Sequence, residues 1–197
     1  MELYYSTPST EKIKKFLIYL FFFGNIIGIF VLWWTKSAYY INSPDIGNFL
    51  IAVSRITGLL GEYFLLVMII FIGRIRFIEK LWGFDKLNKL HRWTGYSILT
   101  LFLSHVILVT LGNAIAGGVS FISQLGDFLA NKNGVLNAFE ALVVFVFVIL
   151  ISISIVRKKL RYETWYFVHL LTYLAIGLAF THQLNTGDLR NPAPLNY

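Results

Sequence analysis

The sequence contains no cysteine, only four prolines and few charged residues. The absence of cysteine excludes disulfides, thiolate-bound iron–sulfur clusters and the Cys-x-x-Cys-His attachment of c-type haem. Only 14% of the 197 residues are charged and 57% are hydrophobic, whereas a soluble domain has about 25% charged residues. The composition therefore predicts a polytopic membrane protein with a single domain rather than a soluble enzyme.

Long apolar runs divide the chain into five predicted membrane-spanning helices, so the expected fold is an all-α membrane helix bundle. The predicted spans are Phe16–Trp34, Asn48–Gly73, Trp93–Gly112, Asn137–Val156 and Thr164–Gln183. The third and fourth spans are joined by a loop rich in Gly and Asn. Within that loop, the stretch Val119–Leu129 is predicted to form a short helix at the membrane surface.

Basic residues are concentrated on one side of the predicted spans. Thirteen of the 17 Lys and Arg residues precede the first span or lie between spans two and three or four and five. By the positive-inside rule these segments are cytoplasmic. We therefore predict a multi-pass protein of the cell membrane with a cytoplasmic N-terminus. This topology explains the net charge of +7 without a nucleic-acid partner.

The four histidines form two spaced pairs at or within the third and fifth spans. His91 and His105 are 14 positions apart, and His169 and His182 are 13 positions apart. In a helix either separation amounts to about 20 Å, which is about two-thirds of a bilayer core. Because both spans run outwards, we predict that His91 and His169 bind the iron of an inner haem. His105 and His182 would bind the iron of an outer haem.

The sequence leaves two further roles open for the histidines. If the imidazoles only pack in the core, the chain is a haem-free membrane scaffold or channel. Zinc is a weaker alternative, because its ligands must converge within about 2 Å of one point. In an ideal helix, residues 14 positions apart differ by about 40° in direction, so the first pair lies near one face. Residues 13 positions apart differ by about 140°, so the second pair does not. We therefore expect either that the fifth helix bends, with Gly177 as a bend site, or that the two haems lie at different angles around the bundle axis.

Three stretches resemble the transmembrane domain of the ferric reductase and NADPH oxidase superfamily. Gly83–Gly95 (GFDKLNKLHRWTG) is similar to the start of that family's third helix, where a basic residue follows the first histidine. Arg161–His169 (RYETWYFVH) resembles the start of the fifth helix. Ser54–Gly58 (SRITG) resembles the arginine motif of the second helix. The similarity covers helices two to five.

The resemblance implies an oxidoreductase that carries electrons across the membrane through two b-type haems. A cytosolic domain or subunit with FAD, reduced by NAD(P)H, would supply the electrons. The outer acceptor would be dioxygen, giving superoxide, or ferric iron. The resemblance also favours Arg55 as a partner of an outer haem propionate. Arg92, beside His91, either contacts an inner propionate or is one more positive-inside residue, and Glu62 has a structural or a proton-transfer role.

The chain departs from the family's pattern in two respects. The family has a sixth helix and often a C-terminal FAD and NAD(P)H domain, but this sequence has five predicted spans and no G-x-G-x-x-G. We therefore expect either a fragment or a separate reductase chain. The alternative function is a haem-b subunit that passes electrons from a separate flavin reductase to a periplasmic protein such as methionine sulfoxide reductase. In addition, Ala175 stands where several oxidases carry an aromatic residue between the haems.

Overall fold

The computed structural model describes residues 8–186. At positions 8, 154, 155 and 186 it describes the backbone alone. The described part of the chain contains helices and no strand. Its helices are α1 (Pro8–Ile41), α2 (Ile46–Ile72), α3 (Arg76–Trp82), α4 (Phe84–Gly117), α5 (Phe121–Asn131), α6 (Val135–Ser152), α7 (Ser154–Arg157), α8 (Tyr162–His169) and α9 (Leu171–Thr186). Residues 1–7 and 187–197 fall outside the described part.

Five segments of the described chain are long and apolar enough to cross a membrane, which confirms the predicted number of spans. They are Ser9–Ile41, Ile46–Ile72, Phe84–Gly117, Val135–Ser152 and Tyr162–Asn185. Many large apolar side chains on these helices are exposed, as expected where the surrounding solvent is lipid. The chain is therefore a multi-pass membrane protein with an all-helical architecture.

The ends of the spans differ from the predicted bounds. α4 begins at Phe84, nine residues before the predicted start, because Gly83 adopts a positive φ of 79° and joins α3 directly to α4. Neither α3 nor the first turns of α4 are in the sequence prediction, since their charged residues are typical of a loop. The fourth span ends at Ser152 rather than at Val156.

The connection between α4 and α6 contains a short helix where one was predicted. α5 covers Phe121–Asn131, two residues later than the prediction, and Ser120 caps it by accepting a hydrogen bond from the Ser123 N–H at 3.1 Å. Its less exposed side chains recur with the period of an amphipathic helix. The exposed face of α5 is therefore distinct from the face that packs on the bundle.

The bundle is assembled mainly from α2 packed on α4, α6 packed on α9, and α1 packed on α2. Glycine allows the closest approach between α2 and α4, since a Cβ added at Gly47 would lie 2.7 Å from the Gly112 carbonyl oxygen. Small residues at such crossings let membrane helices pack backbone to backbone. The buried core contains Leu65, Ile98, Ala141, Phe145 and Ala175.

The last span is interrupted at Leu170, immediately after His169. The Tyr173 N–H donates to the Leu170 carbonyl at 3.0 Å, a contact three residues apart. The Thr172 hydroxyl donates to the His169 carbonyl at 2.8 Å, and such side-chain bonds compete with the regular helical ladder. The break therefore adjoins the histidine, whereas the predicted bend site, Gly177, lies inside α9.

Candidate functional site

The structure brings His91 and His169 together at one end of the bundle. His91 lies in α4 and His169 is the last residue of α8, and their ring centroids are 6.1 Å apart with an angle of 61° between the planes. Two imidazoles that bind one metal ion from opposite sides, each at about 2 Å, have centroids about 6 Å apart. The spacing of this inner pair therefore suits ligation of one iron by both residues.

The hydrogen bonds of Ser152 favour one tautomer of His169. The Ser152 hydroxyl donates to the Val148 carbonyl at 2.7 Å, so its oxygen can only accept from the other groups around it. His169 Nδ1 lies 3.2 Å from that oxygen. This arrangement favours the proton on Nδ1, which leaves the lone pair on Nε2 available to bind a metal.

Trp165 and Arg157 complete the surroundings of His169. The Trp165 ring stacks on the imidazole with centroids 5.0 Å apart and 28° between the planes. Its Nε1–H donates to the Ser152 hydroxyl oxygen at 3.2 Å, and the Arg157 guanidinium lies 4.5 Å from the Trp165 ring centroid. His169 is thus fixed by side chains from α6 and from its own helix.

His91 has a simpler environment. The main chain of Met68 on α2 interacts with the ring as a hydrogen-bonding group. The backbone of α2 therefore adjoins His91, whereas a side-chain hydroxyl contacts His169.

His105 and His182 share a cavity of about 420 Å³ at the other end of the bundle. Pockets for small molecules and cofactors have volumes of this order, about 300–1,000 Å³. The cavity is mostly apolar, and the side chains that line it include Arg55, Glu62 and Phe102. This outer pair is therefore set in a space with the volume and mostly apolar lining of a cofactor pocket.

The α2 backbone holds His105. Its Nδ1 lies 2.7 Å from the Ser54 carbonyl oxygen, and a carbonyl can only accept, so Nδ1 carries the proton and Nε2 has the free lone pair. Gly58 permits this approach, because a Cβ added there would lie 2.8 Å from His105 Nδ1. Both groups belong to the Ser54–Gly58 motif, which thus positions the histidine as well as carrying Arg55.

His182 lies where the start of α6 meets α9. Its ring interacts with the backbone of Gly134, a residue with a φ of 79°. A Cβ at Gly134 would lie 3.1 Å from the His182 Cα, so only glycine fits both the conformation and the contact. Nearby, the Asn137 amide donates to the Thr181 hydroxyl at 3.0 Å and ties α6 to α9.

The two arginines named as propionate partners differ in their surroundings. Arg55 is half-buried and lines the outer cavity, where its Nη1 donates to the Lys36 carbonyl at 3.0 Å. The Arg55 guanidinium also lies 5.8 Å from the centroid of the Tyr40 ring. Arg92 follows His91 on α4 with an exposed side chain, and its role at an inner propionate stays a prediction.

The inner and outer pairs are separate sites. His91 and His105 lie on the same helix, 14 residues and therefore about 21 Å apart. Among the described residues, no three His, Asp or Glu side chains converge as a metal-binding group. The histidines thus occur as two pairs, and the structure provides no three-ligand cluster within the described residues that would favour the zinc alternative.

Comparison with known protein families gives one match. The family model described as ferric reductase like transmembrane component matches residues 57–180. The chain belongs to this family. The matched region contains His91, His105 and His169, and His182 follows it by two residues. No curated protein and no solved structure matches the chain.

Membership of the ferric reductase like transmembrane family gives the histidine pairs a functional setting. The family resemblance found in the sequence is confirmed, and it indicates an oxidoreductase that transfers electrons across a membrane. The match begins at residue 57 and so excludes Ser54 and Arg55. Their contribution therefore rests on the observed contacts with His105 and the outer cavity.

A role of α5 in the outer site was not predicted from the sequence. In this ferric reductase like chain, Leu125, Phe128 and Leu129 of α5 line the cavity that contains His105 and His182. These three apolar residues lie on one face of the helix. The amphipathic pattern predicts a buried face, but only the fold shows which cavity that face covers.

The aromatic residues that occupy the middle of the bundle were not predicted either. Ala175 is 0% exposed and lies in the core, as its small size allows. The aromatic groups in this region come from other helices, with Phe102 of α4 and Phe145 of α6 having ring centroids 5.8 Å apart. Their positions follow from helix packing and have no sequence motif.

Proposed function

We propose that this chain carries electrons across the cell membrane through two b-type haems, each bound by one histidine of α4 and one of the α8–α9 span. His91 and His169 would hold the inner haem, and His105 and His182 the outer haem. Electrons would come from FAD reduced by NAD(P)H on a cytosolic domain or subunit. They would pass to dioxygen or ferric iron outside.

One observation supports the proposal most strongly. In each pair, one histidine donates its Nδ1–H to an acceptor within the protein, the Ser54 carbonyl for His105 and the Ser152 hydroxyl for His169. Iron-binding histidines commonly use the second nitrogen in this way, which fixes the tautomer and raises the basicity of the ligand. In both histidines this arrangement leaves the Nε2 lone pair available to a metal.

The surroundings of the histidines fit a haem. The inner ring spacing of 6.1 Å suits two axial ligands, and the outer cavity has the size and apolar lining of a cofactor pocket. When bound, haem supplies a one-electron redox couple at each side of the membrane. Arg55 lines the outer cavity and is assigned to a propionate, because arginine matches a carboxylate bidentately.

The chain's own residues would also keep water away from the path between the two sites. Leu65, Ile98, Phe145 and Ala175 form a buried apolar core around the middle of the bundle. A dry interior lowers the local dielectric and so helps to determine the redox potential. α5 adds apolar side chains to the lining of the outer cavity. This helix would therefore admit only small acceptors to the outer site.

Haem content of histidine variants tests the proposal. His105→Leu and His182→Leu should each reduce the purified protein from about two b-type haems per chain to about one. Thr100→Leu is a matched control, because Thr100 lies on α4 as His105 does, but its side chain is exposed and bonds the Tyr96 carbonyl of its own helix. The control should keep both haems.

Two results would contradict the proposal. If the His105→Leu and His182→Leu proteins absorb light in the visible range as the unmodified chain does, the outer pair does not bind haem. If neither the unmodified chain nor the Thr100→Leu control contains haem, the histidines have a packing role and the chain is a haem-free membrane protein.

A further inference from the structure

We infer that Ser152 and Trp165 are positioning residues for the inner ligand His169 and help to set the potential of the inner haem. The inference rests on the proposed function, since it assumes that His169 binds haem iron. It concerns residues outside the ligand set, joined to His169 by a hydrogen bond and by ring stacking. The outer ligand His105 is held differently, because its Nδ1 bonds a main-chain carbonyl.

The hydroxyl of Ser152 uses its full hydrogen-bonding capacity. It donates its single proton to the Val148 carbonyl at 2.7 Å and accepts from Trp165 Nε1–H and His169 Nδ1–H, each at 3.2 Å. A hydroxyl has one donor and two acceptor lone pairs. Donation from Ser152 to His169 would break the bond to Val148, so this arrangement favours the His169 tautomer with the proton on Nδ1.

Trp165 restricts the rotation of the imidazole. It lies four residues before His169 on α8, a separation that places two side chains next to each other on one helix face. Its ring covers the imidazole at 5.0 Å and 28°, while its N–H is held by Ser152. The indole is therefore itself fixed, and the imidazole cannot turn away from Ser152 without displacing it.

The arrangement has a consequence for redox chemistry. An Nδ1–H that donates a hydrogen bond makes the imidazole a stronger electron donor to iron, which favours the ferric state. If Ser152 is replaced by alanine, this acceptor is lost while His169 itself remains. The potential of the inner haem should therefore rise, and the outer haem should be unaffected because its ligands lie about 20 Å away.

The test uses variants of the full chain, each titrated against an external redox potential. Ser152→Ala should raise the midpoint potential of one haem and change the low-spin ferric EPR signal of that haem. Ser152→Thr keeps a hydroxyl and should restore both to unmodified values. Trp165→Phe keeps the aromatic ring but lacks the N–H, so its shift should be smaller than that of Ser152→Ala.

Ser97→Ala is the matched control. Ser97 is a serine that also donates to the carbonyl four residues earlier, that of Trp93, at 3.2 Å. Its side chain is exposed and takes no part in the hydrogen bonds that join Ser152 to His169.

The His105→Leu variant assigns the two haems. The component of the redox titration that disappears in His105→Leu identifies the outer haem. The component that remains in that variant is therefore the inner one, whose potential the inference concerns.

Failure of this inference is distinguishable from failure of the proposed function. Absence of haem from the unmodified chain would overturn the proposed function. Two haems with an inner potential in Ser152→Ala equal to that in Ser97→Ala would overturn only the role of Ser152. A shift in Ser152→Thr as large as in Ser152→Ala would also overturn it, because the hydroxyl would then not be the cause.

Discussion

At the outer end of the bundle, the main chain of α2 anchors His105, through the Ser54 carbonyl and the space left by Gly58. At the inner end, side chains anchor His169, through the Ser152 hydroxyl and the Trp165 ring. Both arrangements protonate Nδ1 and leave Nε2 available. The same imidazole tautomer is therefore favoured by two different means within one helix bundle.

The difference has a clear physical meaning. A main-chain acceptor is present whatever side chain is attached, so the outer anchor depends on how closely α2 and α4 approach. A side-chain acceptor is lost in a single substitution, so the inner anchor can be altered without moving a helix. The outer site is therefore expected to be sensitive to added volume, and the inner site to the loss of hydrogen bonds.

The largest expected effect comes from adding volume at the outer anchor. Gly58→Ala places a Cβ 2.8 Å from His105 Nδ1, so either the imidazole or α2 must move. Overpacking of this kind costs about 1–3 kcal/mol, and we expect haem content to fall from about two per chain to about one. Haem quantification of the purified variant measures this.

Gly95→Ala is the control for that prediction. A Cβ at Gly95 meets only the Met68 Sδ at 3.8 Å, which is ordinary van der Waals contact, so both haems should be retained. Equal haem loss in the two variants would show that the outer site does not depend on the close approach of α2 to His105.

An intermediate effect is expected from the two arginines. Arg55→Gln removes a half-buried positive charge from the outer cavity, and this charge favours the reduced haem, so the outer potential should fall. Arg92→Gln removes an exposed charge, which solvent and salt screen more strongly. Redox titration should therefore give a larger shift for Arg55→Gln. If Arg92→Gln shifts the inner-haem potential as much as Arg55→Gln shifts the outer-haem potential, direct contact of Arg92 with a propionate would instead be supported.

The smallest effect is expected from Ser54→Ala. The Ser54 side chain is 0% exposed and donates to the Ile51 carbonyl at 2.7 Å, but His105 is held by the Ser54 main chain. Loss of the hydroxyl should cost about 1 kcal/mol of stability and leave the outer potential at its unmodified value in a redox titration. A shift as large as that of Ser152→Ala would contradict the difference between the two anchors.

Much of the fold could be predicted from the sequence, because length and hydropathy alone define membrane-spanning helices. The five spans were predicted in this way and their number is confirmed, although their ends differ. A short helix, α5, is also present where one was predicted. A bend in the fifth helix was one of two predicted alternatives, but the position of the break, at Leu170 rather than Gly177, was not predicted. It depends on hydrogen bonds made by Thr172 and Tyr173, and these residues carry no general breaking signal.

The candidate site was predictable only in part. The histidines were identifiable because ionisable residues are rare within membrane spans. The groups that anchor them were not, since a main-chain carbonyl is common to every residue, and Ser152 and Trp165 are separated by 13 positions and meet only in the fold. Phe102 and Phe145 likewise become neighbours through packing of α4 and α6.

The most direct test of the central claim is the haem content of the unmodified chain. The protein would be purified in detergent, and the dithionite-reduced minus oxidised spectrum would be recorded with haem quantified per polypeptide. The two histidine pairs predict the spectrum of b-type haem and about two haems per chain. A chain that folds as a helical membrane protein but shows no reducible haem would contradict the account.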